Sequence, residues 1–363
     1  MIGSRIVKLL KNVMEENNAD AYLILNPYNI KYVAGISLYG DPPLSAVIYS
    51  KDEELVGITS SLEENRAKDL FDGELFVFTR SKDLPWEHAE SKELAIKKVL
   101  EKINAKRVIS DTELSLEGTD LKKDETIYNA RMIKTKRELK LIEKAVWIAE
   151  RALYDVRDLI MEGVSEIEIA REIILSILSN GGQWLSFDVI VASGPNAAYP
   201  HHEPTQRVLR KGEPVIIDLG AYYEGYASDI TRTFFVEDYI PPEWEKYYNC
   251  VVEMQENAIK SVKPDVKTVY VDRITRETLR EYFGEAYMYL YNHSTGHGVG
   301  LEVHEKPYLG PPTKNKDSSL QLKEGMVFTI EPGVYVHGKG GIRIEDMVVV
   351  TSSGVRVLSS FPK

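Results

Sequence analysis

Cysteine is almost missing from this chain: Cys250 stands alone among 363 residues. No disulfide can form within the chain, which excludes a disulfide scaffold and fits a reducing compartment. The lone thiol sits in no motif and reads as a small buried hydrophobe. No apolar run approaches the ~20 residues a membrane span needs. The first residues lead into an amphipathic pattern and lack the apolar core of a signal peptide, so a cytoplasmic location with no membrane partner is the expectation. A basic excess is missing as well. Lys plus Arg number 45 against 56 Asp plus Glu, a formal net charge of -11. Nucleic acid, whose phosphates call for a basic face, is therefore not an expected partner.

The length and the patterning indicate two domains. In the first third, Ile6, Leu9, Leu10, Val13 and Met14 recur at helical spacing. Short strands are expected at Ala21–Leu25, Ser45–Tyr49, Leu55–Thr59 and Glu74–Thr79, with a helix over Glu93–Ile103. Alternation of this kind describes a small α/β domain, assigned to residues 1–125. A charged run at Lys122–Glu125 precedes the second domain, residues 126–363. Capping boxes at Thr135–Glu138 and Ser165–Glu168 open two helices, the second stopping at Gly181–Gly182. Strands follow around Asp218 and Asp229. The order then repeats, with helices expected over Pro242–Val262 and Thr268–Phe283 and strands to the end.

Polar residues in the second domain break the apolar pattern in a consistent way. Six of the seven histidines lie between 201 and 337. Val215–Gly220 reads as a buried strand carrying Asp218, and Tyr226–Phe234 as its return with Asp229. On that return Asp229, Thr231 and Thr233 share one face by the period of two. A carboxylate inside an apolar strand costs several kcal/mol to desolvate unless a cation meets it. An Arg salt bridge would suffice, yet Arg232 points to the other face. Downstream, Glu331 ends an apolar strand and Arg343 and Glu345 share a face of a strand drawn from Ile342 to Val350. Between these acidic pairs lies the Gly-rich stretch His293–Pro307 with His297 and His304. Four carboxylates and one imidazole make an oxygen-rich set able to hold two divalent ions of the Mn, Co, Fe or Zn kind, and unsuited to a thiolate site.

The strings IIDLGAYYEGYASDITRTF, HSTGHGVGLEVHEKP and FTIEPGVYV with GIRIEDMVVVT resemble, in order, the metal-binding motifs of the methionine aminopeptidase, prolidase and aminopeptidase P family. The resemblance spans residues 136–355 and implies an α+β protein with a C-terminal pita-bread domain. Residues 1–125 look like the smaller N-terminal α/β domain of prolidases, aminopeptidases P and creatinases, which methionine aminopeptidases lack. By resemblance, Asp218, Asp229, His297, Glu331 and Glu345 ligate two divalent metals, Mn or Co first and Zn or Fe as alternatives. Asp229 and Glu345 would bridge, and Glu331 would also shuttle a proton. His304 would donate to the developing oxyanion, and His201 matches the other site histidine. His293 and His202 would line the site, and Arg343 would anchor the carboxylates.

The activity implied is hydrolysis of an Xaa-Pro bond in a small peptide, by a homodimer as in the family. Dipeptides are favoured as substrates. Where prolidases carry an arginine after their HExP string, this chain has Tyr308, which raises the alternative of an aminopeptidase P acting on longer peptides. A catalytically dead peptide-binding module is the alternative of another class, and the intact ligand set speaks against it. The loop Ser37–Leu44 is read either as a cap over a partner's site or as an ordinary surface loop.

Overall fold

The computed structural model describes residues 4–81, 88–312 and 320–363, so the expectation for the first three residues lies outside it. The chain divides into two compact units, Met1–Arg131 and Met132–Lys363. Among the described residues no helix is long and apolar enough to cross a membrane.

The first unit is built on a seven-stranded mixed sheet of β1 (Ala21–Ile24), β2 (Ala46–Ser50), β3 (Leu55–Ser60), β4 (Glu74–Phe78), β5 (His88–Ala89), β6 (Arg107–Ser110) and β7 (Asp120–Lys123). They lie in the order β5-β4-β3-β2-β1-β6-β7. Central β1 is buried along its whole length because both faces are covered. Tyr22 and Ile24 pack with α1 (Ser4–Glu16) and α2 (Pro27–Ala34), while Ala21 and Leu23 pack with α4 (Lys92–Lys102). Helix α3 (Glu64–Leu70) follows β3. The Ser37–Leu44 loop is tied down from below: the buried Lys31 ammonium donates to the carbonyls of Leu38, Tyr39 and Gly40 at 3.1, 3.4 and 3.3 Å.

After α5 (Thr126–Met132), the second unit runs through α6 (Lys136–Val156), α7 (Glu166–Ser179), β8 (Trp184–Leu185), β9 (Ile190–Ser193), β10 (Pro214–Leu219), β11 (Ala221–Tyr223), β12 (Tyr226–Ala227) and β13 (Ile230–Phe235). It continues with α8 (Pro242–Ser261), α9 (Thr268–Phe283), β14 (Gly296–Gly298), β15 (Glu305–Leu309), β16 (Val327–Ile330), β17 (Gly333–Val336), β18 (Gly340–Arg343), β19 (Asp346–Thr351) and β20 (Gly354–Val357). Both expected capping boxes form: Thr135 N donates to Glu138 at 2.7 Å and Ser165 N to Glu168 at 2.8 Å.

Each helix pair covers one group of strands. Ile148, Leu153, Ile169 and Ile173 of α6 and α7 pack against Val215, Ile217 and Leu219 of β10. Ala258 and Val271 of α8 and α9 pack against Phe328 and Ile330 of β16 and Val348 and Val350 of β19. The alternation of strand side chains then turns the intervening residues inward. On β10 and β13 these are Ile216, Asp218, Thr231 and Thr233, with Asp218 registered opposite Thr231.

Two details differ from the sequence reading. The return of the chain from β10 is not direct, because β11 and β12 form their own small hairpin between β10 and β13. Asp229 consequently lies just ahead of β13, in the two-residue link after β12, and not within the strand. The strand drawn through Ile342–Val350 is interrupted at Ile344 and Glu345, where the chain passes from β18, paired with β17, to β19, paired with β16.

The link that carries Asp229 depends on Gly220: a Cβ there would lie 1.9 Å from the Ser228 carbonyl oxygen and 2.1 Å from Ser186 Oγ. Gly220→Ala should therefore destabilise by about 1–3 kcal/mol, as overpacking does. Gly354→Ala, which meets open space, should stay within about 0.5 kcal/mol. Urea unfolding of the two variants measures the contrast.

Candidate metal centre

The inward-facing carboxylates converge. Asp229, His297 and Glu345 are buried, and each offers a ligand atom within 4.8 Å of the other two. His297 Nε2 lies 3.6 Å from Asp229 Oδ2 and 3.6 Å from Glu331 Oε1. Its Nδ1 faces the Gly298 carbonyl at 3.2 Å. A carbonyl accepts only, so Nδ1 carries the hydrogen and Nε2 turns a lone pair toward the carboxylates, the tautomer a metal-binding imidazole needs. Asp218 joins from β10, where Arg343 Nη2 donates to its Oδ2 at 2.6 Å. Glu345 Oε2 accepts from Thr231 Oγ1 at 2.7 Å.

Three oxygens of this acidic set, Asp218 Oδ1, Asp229 Oδ1 and Glu345 Oε1, are buried and have no hydrogen-bond partner in the protein. Burial raises the Asp229 carboxyl well above its ordinary value, and the negative fields of Glu345, Asp218 and Glu331 push the same way. Glu345 is pushed up to about 8 by burial first and then by Asp218. Orphaned oxygens of this kind, close together and beside a correctly turned imidazole, fit divalent cations. Asp218, Asp229, His297, Glu331 and Glu345 are the residues that could hold them.

Around this set the structure builds a relay of neutral and cationic groups. Arg343 Nη1 donates to Tyr335 Oη at 2.9 Å and to the Pro200 carbonyl at 3.2 Å. Tyr335 Oη in turn meets His293 Nε2 at 2.9 Å, and His293 Nδ1 faces the Ser294 carbonyl at 2.8 Å. Burial, reinforced by the Arg343 charge, pulls His293 down to about 3 and keeps it neutral at physiological pH. Its Nδ1 is then the donor to Ser294 and its Nε2 the acceptor from Tyr335.

A cavity of about 530 Å3 opens over the carboxylates, lined by His201, His202, His293, His304 and Tyr308 and, on its apolar side, by Phe187, Val189 and Ile190. His304 is exposed to it, its ring 4.2 Å from that of His297. His201 is exposed as well, whereas His202 is drawn aside: its Nε2 lies 2.9 Å from Glu166 Oε2.

Several residues that organise the site have partners that carry no signal in sequence. Arg232 is 2% exposed. It donates to Asp346 Oδ1 at 2.7 Å, to the Glu345 carbonyl at 2.6 Å and to the carbonyls of Phe361 and Pro362, which pins the Glu345 backbone. Glu305, next to His304, forms a buried 2.7 Å ion pair with Lys134. Tyr335 could be found only through its contact with Arg343, since tyrosine is common throughout the chain.

Two family descriptions match this chain: Metallopeptidase family M24 over residues 140–352, and the Creatinase/Prolidase N-terminal domain over residues 5–112. The Xaa-Pro dipeptidase of Pyrococcus furiosus is 35% identical over 358 residues, 98% of this chain and 97% of its own. Among solved structures, the prolidase from Pyrococcus horikoshii aligns with a TM-score of 0.86 at 32% identity, covering 99% of each chain. The X-Pro aminopeptidase from Thermotoga maritima aligns at 0.85 and 30% identity, covering 98% of this chain and 97% of that one. The expected fold, a pita-bread domain after a creatinase-type N-terminal domain, agrees with these matches.

The raised carboxyl predicts how stability follows pH. Glu345 has a folded-state value above its unfolded one, so the protonated form stabilises the fold below about pH 4.5. That contribution is lost as pH rises toward about 8. The metal-stripped protein should lose stability across this window, and divalent Mn or Co should reverse the trend, raising Tm more at pH 8 than at pH 5. Thermal unfolding with and without chelator at both pH values checks it, and an equal metal effect at the two would argue against the site.

Proposed function

This chain belongs to metallopeptidase family M24, and we propose that it is a dinuclear-metal hydrolase of the Xaa-Pro peptide bond. One observation carries the reading. Three partnerless, buried carboxylate oxygens and the His297 lone pair gather beneath a histidine-lined cavity of about 530 Å3. Asp229 and Glu345, adjacent at the centre, would hold the ions together with Asp218, His297 and Glu331. Bound there, the ions supply Lewis acidity at the scissile carbonyl and lower the pKa of water.

The chain's own groups supply the rest. Glu331 is the least buried of the five, its side chain 17% exposed, so it can take a proton from an attacking water and pass it on. His304 stands exposed beside His297 and can donate to the carbonyl oxygen as negative charge builds there. An Xaa-Pro bond has no N–H, and its departing imino nitrogen needs a proton. His201, near His293 in the cavity, is the donor we assign. Phe187, Val189 and Ile190 form an apolar wall able to receive a pyrrolidine ring.

Dipeptides are the first expectation, supported by the full-length likeness to the Pyrococcus furiosus Xaa-Pro dipeptidase. A specific observation favours longer peptides as a second reading. Among the described residues lining the cavity, Arg343 is the one arginine or lysine, and it is engaged by Asp218, Tyr335 and Pro200. With Tyr308 at the position after the HExP string, no guanidinium among the described lining residues is spare for a dipeptide's carboxylate.

Proline release from Met-Pro, measured beside cleavage of Met-Pro-Ala and Met-Ala-Ala with Mn or Co present, separates these readings. Cleavage of Met-Pro alone supports the dipeptidase, and cleavage of Met-Pro-Ala as well supports the aminopeptidase. Failure to cut any peptide or bind metal leaves a binding module. Asp229→Asn should abolish turnover and weaken metal binding while the fold survives, as circular dichroism and calorimetry would show. His304→Ala should keep metal and lower kcat by about 10²–10³.

A further inference from the structure

Glu166 opens α7 with a side chain that is wholly buried, at 0% exposure. Seven hydrogen bonds reach its two oxygens. On Oε1 they come from Ser193 N at 2.8 Å, Ser193 Oγ at 2.7 Å and Asn196 Nδ2 at 3.0 Å. On Oε2 they come from Thr205 N at 3.1 Å, Thr205 Oγ1 at 2.7 Å, His202 Nε2 at 2.9 Å and Asn196 Nδ2 at 3.2 Å. Burial alone would raise this carboxyl, but the bonds from His202, Ser193, Thr205 and Asn196 outweigh it and hold the group below its ordinary value. Glu166 is therefore an anion, and no lysine or arginine is among these donors.

All the donors come from one stretch, residues 193–205. Apart from a short 3-10 turn over Gly194–Ala198, the described stretch from Tyr199 to Thr205 has no helix or strand to hold it. That stretch supplies Pro200, His201, His202, Glu203 and Pro204 to the cavity. The α7 backbone adds to the grip, since Glu166 N donates to the Arg207 carbonyl and Ile167 N to that of Thr205, both at 3.0 Å. None of the proposed metal-binding residues lies in the stretch.

We propose that Glu166 is a positioning residue, whose buried carboxylate fastens the 193–205 loop and so presents His201 to the substrate. His202 belongs to the same device: with its Nε2–H committed to Glu166, it braces the loop and leaves catalysis to its neighbour. A glutamine cannot substitute. Whichever way its amide turns, the NH2 group faces N–H and O–H donors, either those of Ser193 or those of Thr205 and His202. The consequence for turnover rests on the peptidase reading given above, while the fastening itself does not.

The experiment is a double-mutant cycle between Glu166→Gln and His201→Ala on the metal-loaded full chain, cleaving Met-Pro or Met-Pro-Ala. Glu166→Gln should lower kcat/KM about 10- to 100-fold, the scale of an ångström-sized displacement at a reacting site. Calorimetric affinity for Mn should stay within about twofold, because the ligands sit on other elements. In the His201→Ala background the same substitution should cost less than about threefold, since the group it positions is gone. An equal loss in both backgrounds, or a parallel loss of metal affinity, would overturn the proposal. Should Glu166→Gln not fold, Thr205→Val, which deletes one donor, takes its place in the cycle under the same criteria. Amide hydrogen exchange distinguishes this failure from failure of the peptidase reading. If the wild type cleaves nothing, Ser193 and Thr205 must still exchange faster in the variant while Val215–Ile217 do not change. Unchanged exchange at both would refute the fastening.

Discussion

The constraint on which the second unit depends is the crowding of like charge in a dry place. Asp229 and Glu345 are buried side by side, with Asp218 close enough to raise both and Glu331 close enough to raise Asp229. Left to itself, such a group would protonate or draw in water. The fold holds it by fixing the backbone around it. Arg232 clamps the Glu345 carbonyl and the Asp346 side chain, Gln255 of α8 adds a 2.8 Å bond to Asp346, and Arg343 neutralises one edge through Asp218. What the protein leaves unpaired, divalent metal would complete. The strain is thus directed toward function, and binding of metal would be strongly coupled to stability.

The two halves of the unit solve the same problem in parallel. Each packs a helix pair against the outer face of its strands and turns polar residues inward. Each also uses an acid on its second helix to secure a histidine-bearing segment. Glu166 of α7 grips the 193–205 loop. On α9, Asp272 accepts from Thr295 Oγ1 at 2.8 Å, and its ion-pair partner Arg276 donates to the His293 carbonyl at 2.8 Å. Histidines that must face a cavity sit on irregular backbone, and buried charges on rigid helices give that backbone the definition that a ladder of strand bonds would otherwise provide. The element order repeats along the sequence, but the shared engineering does not appear as sequence identity, because the two acids, Glu and Asp, stand at different helix positions.

Local chemistry was legible in the sequence, and longer-range pairing was not. The capping boxes at Thr135 and Ser165, the buried run of β1 and the period-two placement of Thr231 and Thr233 all follow from neighbours within a few residues. The misread details share one cause. The apolar alternation of each segment places Asp229 inside one strand and Ile344–Glu345 inside another. In the fold, the chain changes strand partners at both points. A change of partner is decided by distant segments and leaves no periodic trace. Arg232 with Asp346, Lys134 with Glu305, and Glu166 with its loop were invisible for the same reason: partners 114, 171 and 27 to 39 residues apart meet only after folding.

The sequence by itself determined the kinds of chemistry available: acids in apolar strands, imidazoles among glycines, one cysteine and no disulfide. It also determined the local elements that carry them, because propensity, capping and alternation act over a few residues. The tertiary structure alone decided which oxygens were left without partners and which imidazole nitrogen turned its lone pair inward. It also decided which histidine faces the cavity and which one braces the loop. Those outcomes depend on desolvation and on hydrogen bonds between segments far apart in the chain, and both exist only once the two halves of the unit have closed around the same few carboxylates.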